Sequence, residues 1–263
     1  MPRFAANLTV LFTELPFLDR VAAAARAGFT AVECQFPYVV PANDLKARLD
    51  THGLQQVLIN MPAGDWAAGD RGIACDPARR GEFEAAVDRA LEYAAVLGCP
   101  QVNCLAGIPP PHLDPAAARA TFVENLASAA RAFSSTSRRL LIEPINSRDI
   151  PGFFLTRSRQ AFDILDEVGS AALFVQYDAY HMQIMEGDLS GTLQRHRSRI
   201  AHVQIADTPG RHEPGTGEIN YDFFLGWLDR VGYDGWVGLE YNPAGRTVDG
   251  LHWARRWGIE PRP

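Results

Sequence analysis

Four short apolar runs in the second half of the chain each end in a side chain able to bind a hard metal ion. RLLIEPIN brings Glu143, LFVQYDAYH brings Asp178, IAHVQIAD brings Gln204 and WVGLEYN brings Glu240. Three carboxylates and one amide carbonyl form the oxygen-rich donor set that Mg²⁺ or Mn²⁺ prefers, with too few soft ligands for structural zinc. A carboxylate closing an apolar approach such as LLIE or VGLE is costly unless it is paired, hydrogen-bonded or bound to a metal. For either glutamate alone, a strand-end carboxylate facing solvent or salt-bridging a loop arginine is the competing reading. Four donors recurring at equivalent strand ends argue for one site, and such a site points to an enzyme.

A metal held this way would chelate the carbonyl and neighbouring hydroxyl oxygens of a sugar or hydroxy-keto acid, lowering the cost of removing the proton on carbon. One glutamate takes that proton and the other returns it to the adjacent carbon through a cis-enediolate. Which of Glu143 and Glu240 is base and which is acid stays open. His181, three residues after Asp178, is placed to donate to a substrate oxygen; packing against Tyr177 and Tyr180 is the alternative. Gln204 lies two residues beyond His202, on the same strand face. Being nearer the mouth, Gln204 is the expected ligand, and His202 is a deeper supporting group or a core histidine. Asp207 suits its own loop as well as the metal.

The segment NMPAGDWAAGDRG carries Asp65, Trp66 and Arg71 between glycines. Trp66 is expected to cover the mouth and Arg71 to meet a substrate carboxylate through its bidentate fork; a loop held by its own Asp/Arg pair is the alternative. Arg211 and His212 compete for the same anion-binding role, with Glu213 expected to order one of them. Asn7, Asn60 and Asn103, at early strand ends, are candidates to line the pocket. Closure of such loops would exclude water from an enediolate.

Positioning these groups takes strands that alternate with helices along the whole chain. Strand-like runs span 3 to 8, 30 to 35, 55 to 60, 101 to 107, 139 to 144, 173 to 178, 200 to 207 and 236 to 241. Several are almost continuously apolar, as in a parallel sheet covered by helices. Helical spacing of apolar residues covers 17 to 27, 43 to 52, 79 to 97, 115 to 133, 157 to 168, 189 to 195, 221 to 231 and 250 to 257, with stops at Gly28, Gly53, Gly98, Gly169 and Gly232. The longest connections, at 61 to 77, 107 to 115, 144 to 156 and 208 to 220, all follow strands, so one face of the fold is the working end. Eight pairs make one α/β domain over 1 to 263, a single (β/α)₈ TIM barrel. The rival open doubly wound sheet lacks a G-x-G-x-x-G turn after its first strand.

At 263 residues, 47% hydrophobic and 21% charged, the chain builds a sizeable core. Its net charge of -6, without a Lys/Arg run of five or more, argues against a general nucleic-acid backbone binder. Cys34, Cys75, Cys99 and Cys104 follow no C-x-x-C spacing and read as reduced, buried thiols, as in a cytoplasmic protein. Neither a signal-peptide pattern nor a span of 18 apolar residues is found, so no membrane partner is expected.

The strings NMPAGDWAAGDRGIAC, LLIEPIN, IPGFFL, QYDAYHMQIMEG, HVQIAD and EPGTGEINY together closely resemble the hydroxypyruvate isomerase family of the xylose-isomerase-like barrels, from RFAANL to WVGLEY. The resemblance implies interconversion of hydroxypyruvate and 2-hydroxy-3-oxopropanoate, an aldose-ketose type isomerisation. It places the paired acid/base glutamates on Glu143 and Glu240, with Asp178 and Gln204 completing a Mg²⁺ or Mn²⁺ site and His181 against the substrate. Related metal-dependent epimerases often carry histidine where this chain has Gln204. Close relatives resemble 2-oxo-tetronate isomerases, whose substrate is longer by one hydroxylated carbon; that is the alternative substrate, with pocket depth deciding. A catalytically silent sugar-acid binding barrel is the alternative of another class. A small hydroxy-keto acid is the expected partner, and the resemblance makes a homo-oligomer plausible.

Overall fold

The computed structural model describes residues 1 to 260. Eight parallel strands close in chain order: β1 (Arg3–Asn7), β2 (Ala31–Cys34), β3 (Gln55–Asn60), β4 (Gln101–Cys104), β5 (Arg139–Ile142), β6 (Leu173–Asp178), β7 (Ile200–Ile205) and β8 (Trp236–Leu239). Closure comes from β1 pairing β8, with Arg3 opposite Trp236 and Ala6 opposite Leu239. The expected (β/α)₈ barrel is therefore present, and an open sheet is excluded.

Helices α1 (Phe17–Arg26), α2 (Ala42–His52), α3 (Arg80–Leu97), α4 (Pro115–Ser134), α5 (Ser158–Val168), α6 (Ala179–Met185), α7 (Leu189–His196) and α8 (Tyr221–Arg230) surround the sheet. Gly53, Gly98 and Gly169 end α2, α3 and α5 in the left-handed conformation, where glycine carries no Cβ penalty. The last expected helix is instead a 3-10 segment, Thr247–Trp257. The unexpected element is α6, which follows β6 without a loop because Asp178 caps it: its Oδ1 accepts from the Tyr180 and His181 amides at 2.8 and 3.4 Å.

Several strands stop short of their apolar runs. Leu8, Leu105, Ala106 and Tyr241 lie beyond the ladders yet are buried, because they pack into the main hydrophobic core. Apolar content thus marks burial and overstates the hydrogen-bonded strand.

Two steps along a strand keep a side chain on one face. The barrel floor is apolar: Ala5, Ala31 and Val57 pack with Trp236, and Leu58, Leu141 and Ala201 with Phe174. Two residues further on, the same strand faces carry Asn7, Glu33, Glu143, Gln176 and Gly238, all buried where polar. Outward-facing residues such as Val102, Ile142, Val175 and Val203 join the core between sheet and helices. The interior therefore grades from oil to charge toward the C-terminal mouth. Among the described residues, no helix is long and apolar enough to cross a membrane.

Candidate active site

Glu143 and Glu240 stand one residue beyond the last ladder positions of β5 and β8, and Asp178 ends β6. Together with His181 on the first turn of α6, they bring potential ligand atoms within 4.8 Å of one another, all buried. The two glutamates therefore reach a common small molecule.

Each carboxylate is tethered differently. Glu143 Oε2 accepts from Asn103 Nδ2 at 2.9 Å. Glu240 Oε1 accepts from Asn7 Nδ2 at 3.0 Å and Gln35 Nε2 at 2.8 Å, and its Oε2 accepts from Arg211 Nη2 at 2.6 Å. Asp178 spends one oxygen on the α6 cap, while its buried Oδ2 accepts no hydrogen bond and has Arg211 Nη2 only at 3.9 Å. Such an orphan is expensive in a dry site unless something cationic meets it. With Glu143 and Glu240 beside it, Asp178 completes a set of three buried carboxylates that fits a divalent cation.

Burial raises the Glu143 carboxyl well above its ordinary value, helped by the Glu240 and Asp178 charges. Asp178 is pushed up to about 7, mainly by burial, with Arg211 opposing. Glu240 is raised by burial, again against Arg211. His181 moves the other way, well below its usual value, through burial and the Arg211 charge. It is therefore neutral at pH 7, and its proton can be located. Asn146 Oδ1 accepts from the Arg148 and Asp149 amides, which turns Asn146 Nδ2 toward His181 Nδ1 at 2.7 Å. Nδ1 is thus the acceptor, and Nε2–H points into the site, 3.5 Å from Asp178 and 3.9 Å from Glu143.

A cleft of about 90 Å³ opens over these groups, lined by Gln35, Asn60, Trp66, Leu105, Glu143, Ile145, Asp149, Ile150, His181, Arg211 and Glu240. A larger cavity, about 440 Å³, runs between α1 and the 3-10 segment and contains none of the clustered carboxylates. Volume is a poor guide here; buried charge is the better one.

Arg211 is the one guanidinium lining the cleft among the described residues. Held at φ +56, it lies over the Tyr180 ring and 3.8 Å from Asp149. Arg71 does not line the cleft: it stacks on Trp66, 4.2 Å from the ring centroid, and donates to the Trp66 and Asp70 carbonyls. Trp66 itself packs on Phe36 at the rim, 41% exposed. The Asp/Arg pair bracing this loop is Asp70–Arg79 at 2.8 Å, while Asp65 accepts from the Ala68 amide. His212 also stays outside, donating from Nδ1 to the Asn242 carbonyl. Glu213 orders neither His212 nor Arg211; it accepts from the Ala244 amide. Asp207 is a loop anchor, accepting from the Thr208, Gly215 and Ile219 amides.

Gln204 faces its own layer. Its Nε2 donates to Glu33 Oε1 at 2.7 Å, and its Oε1 accepts from Gln176 Nε2 at 2.5 Å. An amide oxygen has two acceptor positions, so one remains. His202, the deeper histidine, meets Glu33 Oε2 at 2.6 Å. Sequence reasoning passed over Glu33, Gln35, Asn146, Asp149 and Gln176. Glu33 carried a usable signal, a carboxylate inside the apolar run TAVEC; the others lie in strands or loops without a distinguishing pattern.

A closed barrel with a buried carboxylate cluster at its C-terminal mouth, able to hold a divalent cation, has the architecture of a (β/α)₈ enzyme. The profile described as xylose isomerase-like TIM barrel matches residues 21–257, and the chain belongs to that family. It is 51% identical to a 2-oxo-tetronate isomerase of Cupriavidus necator, covering 97% of this chain and 98% of the relative. It is 50% identical to a hydroxypyruvate isomerase of Escherichia coli K12, covering 96% and 98%. Among solved structures, an AP endonuclease, family 2, from Brucella melitensis superposes with a TM-score of 0.96 at 45% identity, over 98% of this chain and 100% of that one. The chain is an isomerase of this barrel family.

Proposed function

We propose that the chain isomerises 2-oxo-tetronate, moving the carbonyl from C2 to C3 by proton transfer. The observation that carries this reading is the convergence of Glu143 and Glu240 within 4.8 Å, beside a neutral His181 donor and a single arginine. Three of the first four relatives, at 51%, 45% and 41% identity, are named 2-oxo-tetronate isomerases, which favours the four-carbon acid over hydroxypyruvate. Hydroxypyruvate is the second reading, supported by the relative at 50% identity; it undergoes the same C2 to C3 shift with one carbon fewer.

Arg211 receives the substrate carboxylate, being the cleft's own guanidinium. That sets C2 and C3 between Glu143 and Glu240: one removes the proton from the hydroxyl-bearing carbon, the other delivers a proton to its neighbour, and the hydroxyl proton passes to the adjacent former carbonyl oxygen. His181 Nε2–H donates to the substrate oxygen that gains negative charge. Trp66, Ile145 and Ile150 keep water from the enediolate. Asn7 steadies Glu240, and Asn60 lines the wall.

Glu143, Asp178, Gln204 and Glu240 are the residues that would hold Mg²⁺ or Mn²⁺. A bound ion would supply positive charge that makes the carbon-bound proton more acidic. Asn146 Nδ2 against His181 Nδ1 supports a proton on the cleft-facing Nε2, and so a donor role for His181 in place of a ligand role. Arg71 and His212, both outside the cleft, are left with roles at the rim.

The test is a parallel assay of purified protein on 2-oxo-tetronate and hydroxypyruvate, in ²H₂O, before and after chelation and Mg²⁺ or Mn²⁺ restoration. Faster turnover of the four-carbon acid, with solvent deuterium in the product and loss on chelation, is expected. Preference for hydroxypyruvate would install the second reading. Turnover of neither acid would leave a binding barrel.

A further inference from the structure

Below the clustered carboxylates lies a second polar layer centred on Glu33 of β2, a residue the chemistry above does not use. Its side chain is fully buried. Oε1 accepts from Asn7 Nδ2 at 2.9 Å and from Gln204 Nε2 at 2.7 Å, and Oε2 meets His202 Nε2 at 2.6 Å. Room for this carboxylate exists because β8 carries Gly238 opposite it; a Cβ there would overlap the Glu33 oxygens. Neither Glu33 nor Gly238 lines the cleft.

An ionised carboxylate accepts hydrogen bonds and donates none. Every group facing Glu33 must therefore turn a donor toward it. For an amide this is a binary choice with consequences at the far end. Gln204 must place Nε2 on Glu33, which turns Oε1 toward the Gln176 amide and leaves one further acceptor position on that oxygen. Asn7 must place Nδ2 between Glu33 and Glu240, where the same nitrogen serves both carboxylates. Asn7 Oδ1 is then free to accept from the Thr9 amide at 3.0 Å, which completes the arrangement. We infer that Glu33 is the positioning residue of this site, fixing which way the Gln204 and Asn7 amides face and so presenting oxygen, not nitrogen, from Gln204 to a divalent cation.

The inference rests on the reading that Gln204 is one of the ligands. A glutamine at 33 would have both a donor and an acceptor end, and Gln204 could then turn its Nε2 toward the ion. Residues supporting metal ligands in this way typically change affinity by about 10- to 100-fold when altered.

The experiment measures Mn²⁺ affinity directly, by the electron paramagnetic resonance signal of free Mn²⁺, on the full chain without substrate. Glu33→Gln is expected to weaken Mn²⁺ binding by roughly 10-fold or more. The double exchange Glu33→Gln with Gln204→Glu keeps one carboxylate and one amide in the layer and gives position 204 no wrong end. It is expected to restore binding to about the wild-type level. Gly238→Ala, which crowds the carboxylate without removing it, is expected to weaken binding in the same direction and serves where Glu33→Gln does not fold. Glu33→Gln binding Mn²⁺ as the wild type does, a double variant no better than the single one, or a wild type that binds no Mn²⁺ would each overturn the inference. A wild type that binds Mn²⁺ normally but turns over neither acid would instead sink the proposed activity and leave the role of Glu33 standing.

Discussion

At the residue scale, the site is a problem in excess negative charge. Glu143, Asp178 and Glu240 share one buried volume with a single arginine, and burial raises all three carboxyls. Cation ligands must be deprotonated, so Mn²⁺ binding near neutral pH is expected to release protons. Titration calorimetry in two buffers of different ionisation enthalpy checks this: apparent enthalpies that coincide would show that no proton leaves. The relay makes a second demand. Glu143→Gln and Glu240→Gln keep the shape of the side chain but cannot carry a proton, so each is expected to lower kcat by at least about 10² to 10⁴-fold with the folded circular dichroism spectrum intact. A variant retaining near wild-type kcat would remove that glutamate from the relay. Arg211→Ala is expected to act chiefly on KM, raising it by roughly 10-fold or more, since a charge-assisted hydrogen bond is worth about 1.5–3 kcal/mol. An unchanged KM would send the carboxylate elsewhere.

At the element scale, the strands fix the clustered carboxylates and the loops line the cleft above them. The loop after β3 carries Trp66 and is seated by backbone contact: Gly72, at φ +110, lies against the Leu105 carbonyl, and Gly107, at φ +98, against Gly72. A Cβ at either glycine would strike main chain, which cannot swing away as a side chain would. Gly72→Ala is expected to cost about 1–3 kcal/mol and to loosen Trp66 over the cleft. Urea denaturation measures the first effect and Trp66 fluorescence quenching the second; a variant as stable as wild type would mean that this contact is not tight. The helix α6 shows how much one residue can organise: Asp178 ends β6, caps α6 and faces the carboxylate cluster, so strand, helix and site share one side chain.

At the scale of the whole molecule, the site is paid for by stability elsewhere in the fold. A carboxyl whose pKa is raised on folding contributes stability that is complete below its unfolded value, near 4, and lost as pH rises through the folded value. For Asp178 that loss runs from about 4 up to about 7, where it is complete. Ion-free protein is therefore expected to melt at lower temperature at about pH 7.5 than at about pH 5, with a smaller drop in Asp178→Asn. Saturating Mn²⁺ should raise the melting temperature more at the higher pH, because the ligands are then already deprotonated. Calorimetric scans with chelator and with Mn²⁺ decide it, and a drop of equal size in wild type and Asp178→Asn would deny Asp178 this role.

The amino-acid sequence by itself determined the barrel and the identity of its chemical groups. Eight apolar runs separated by helical spacing admit few other closures, and a carboxylate ending an apolar strand is legible because burying it needs a reason. Position along a chain says nothing about which loop residue bends inward. Arg71 and Arg211 look equivalent in sequence; tertiary packing puts one on the outside of Trp66 and the other against Glu240. Likewise, hydrogen bonds between segments far apart in the chain, such as Glu33 with Gln204 and Asn146 with His181, set amide orientation and imidazole tautomer. Those choices depend on which donor meets which acceptor in space, and only the closed barrel brings them together.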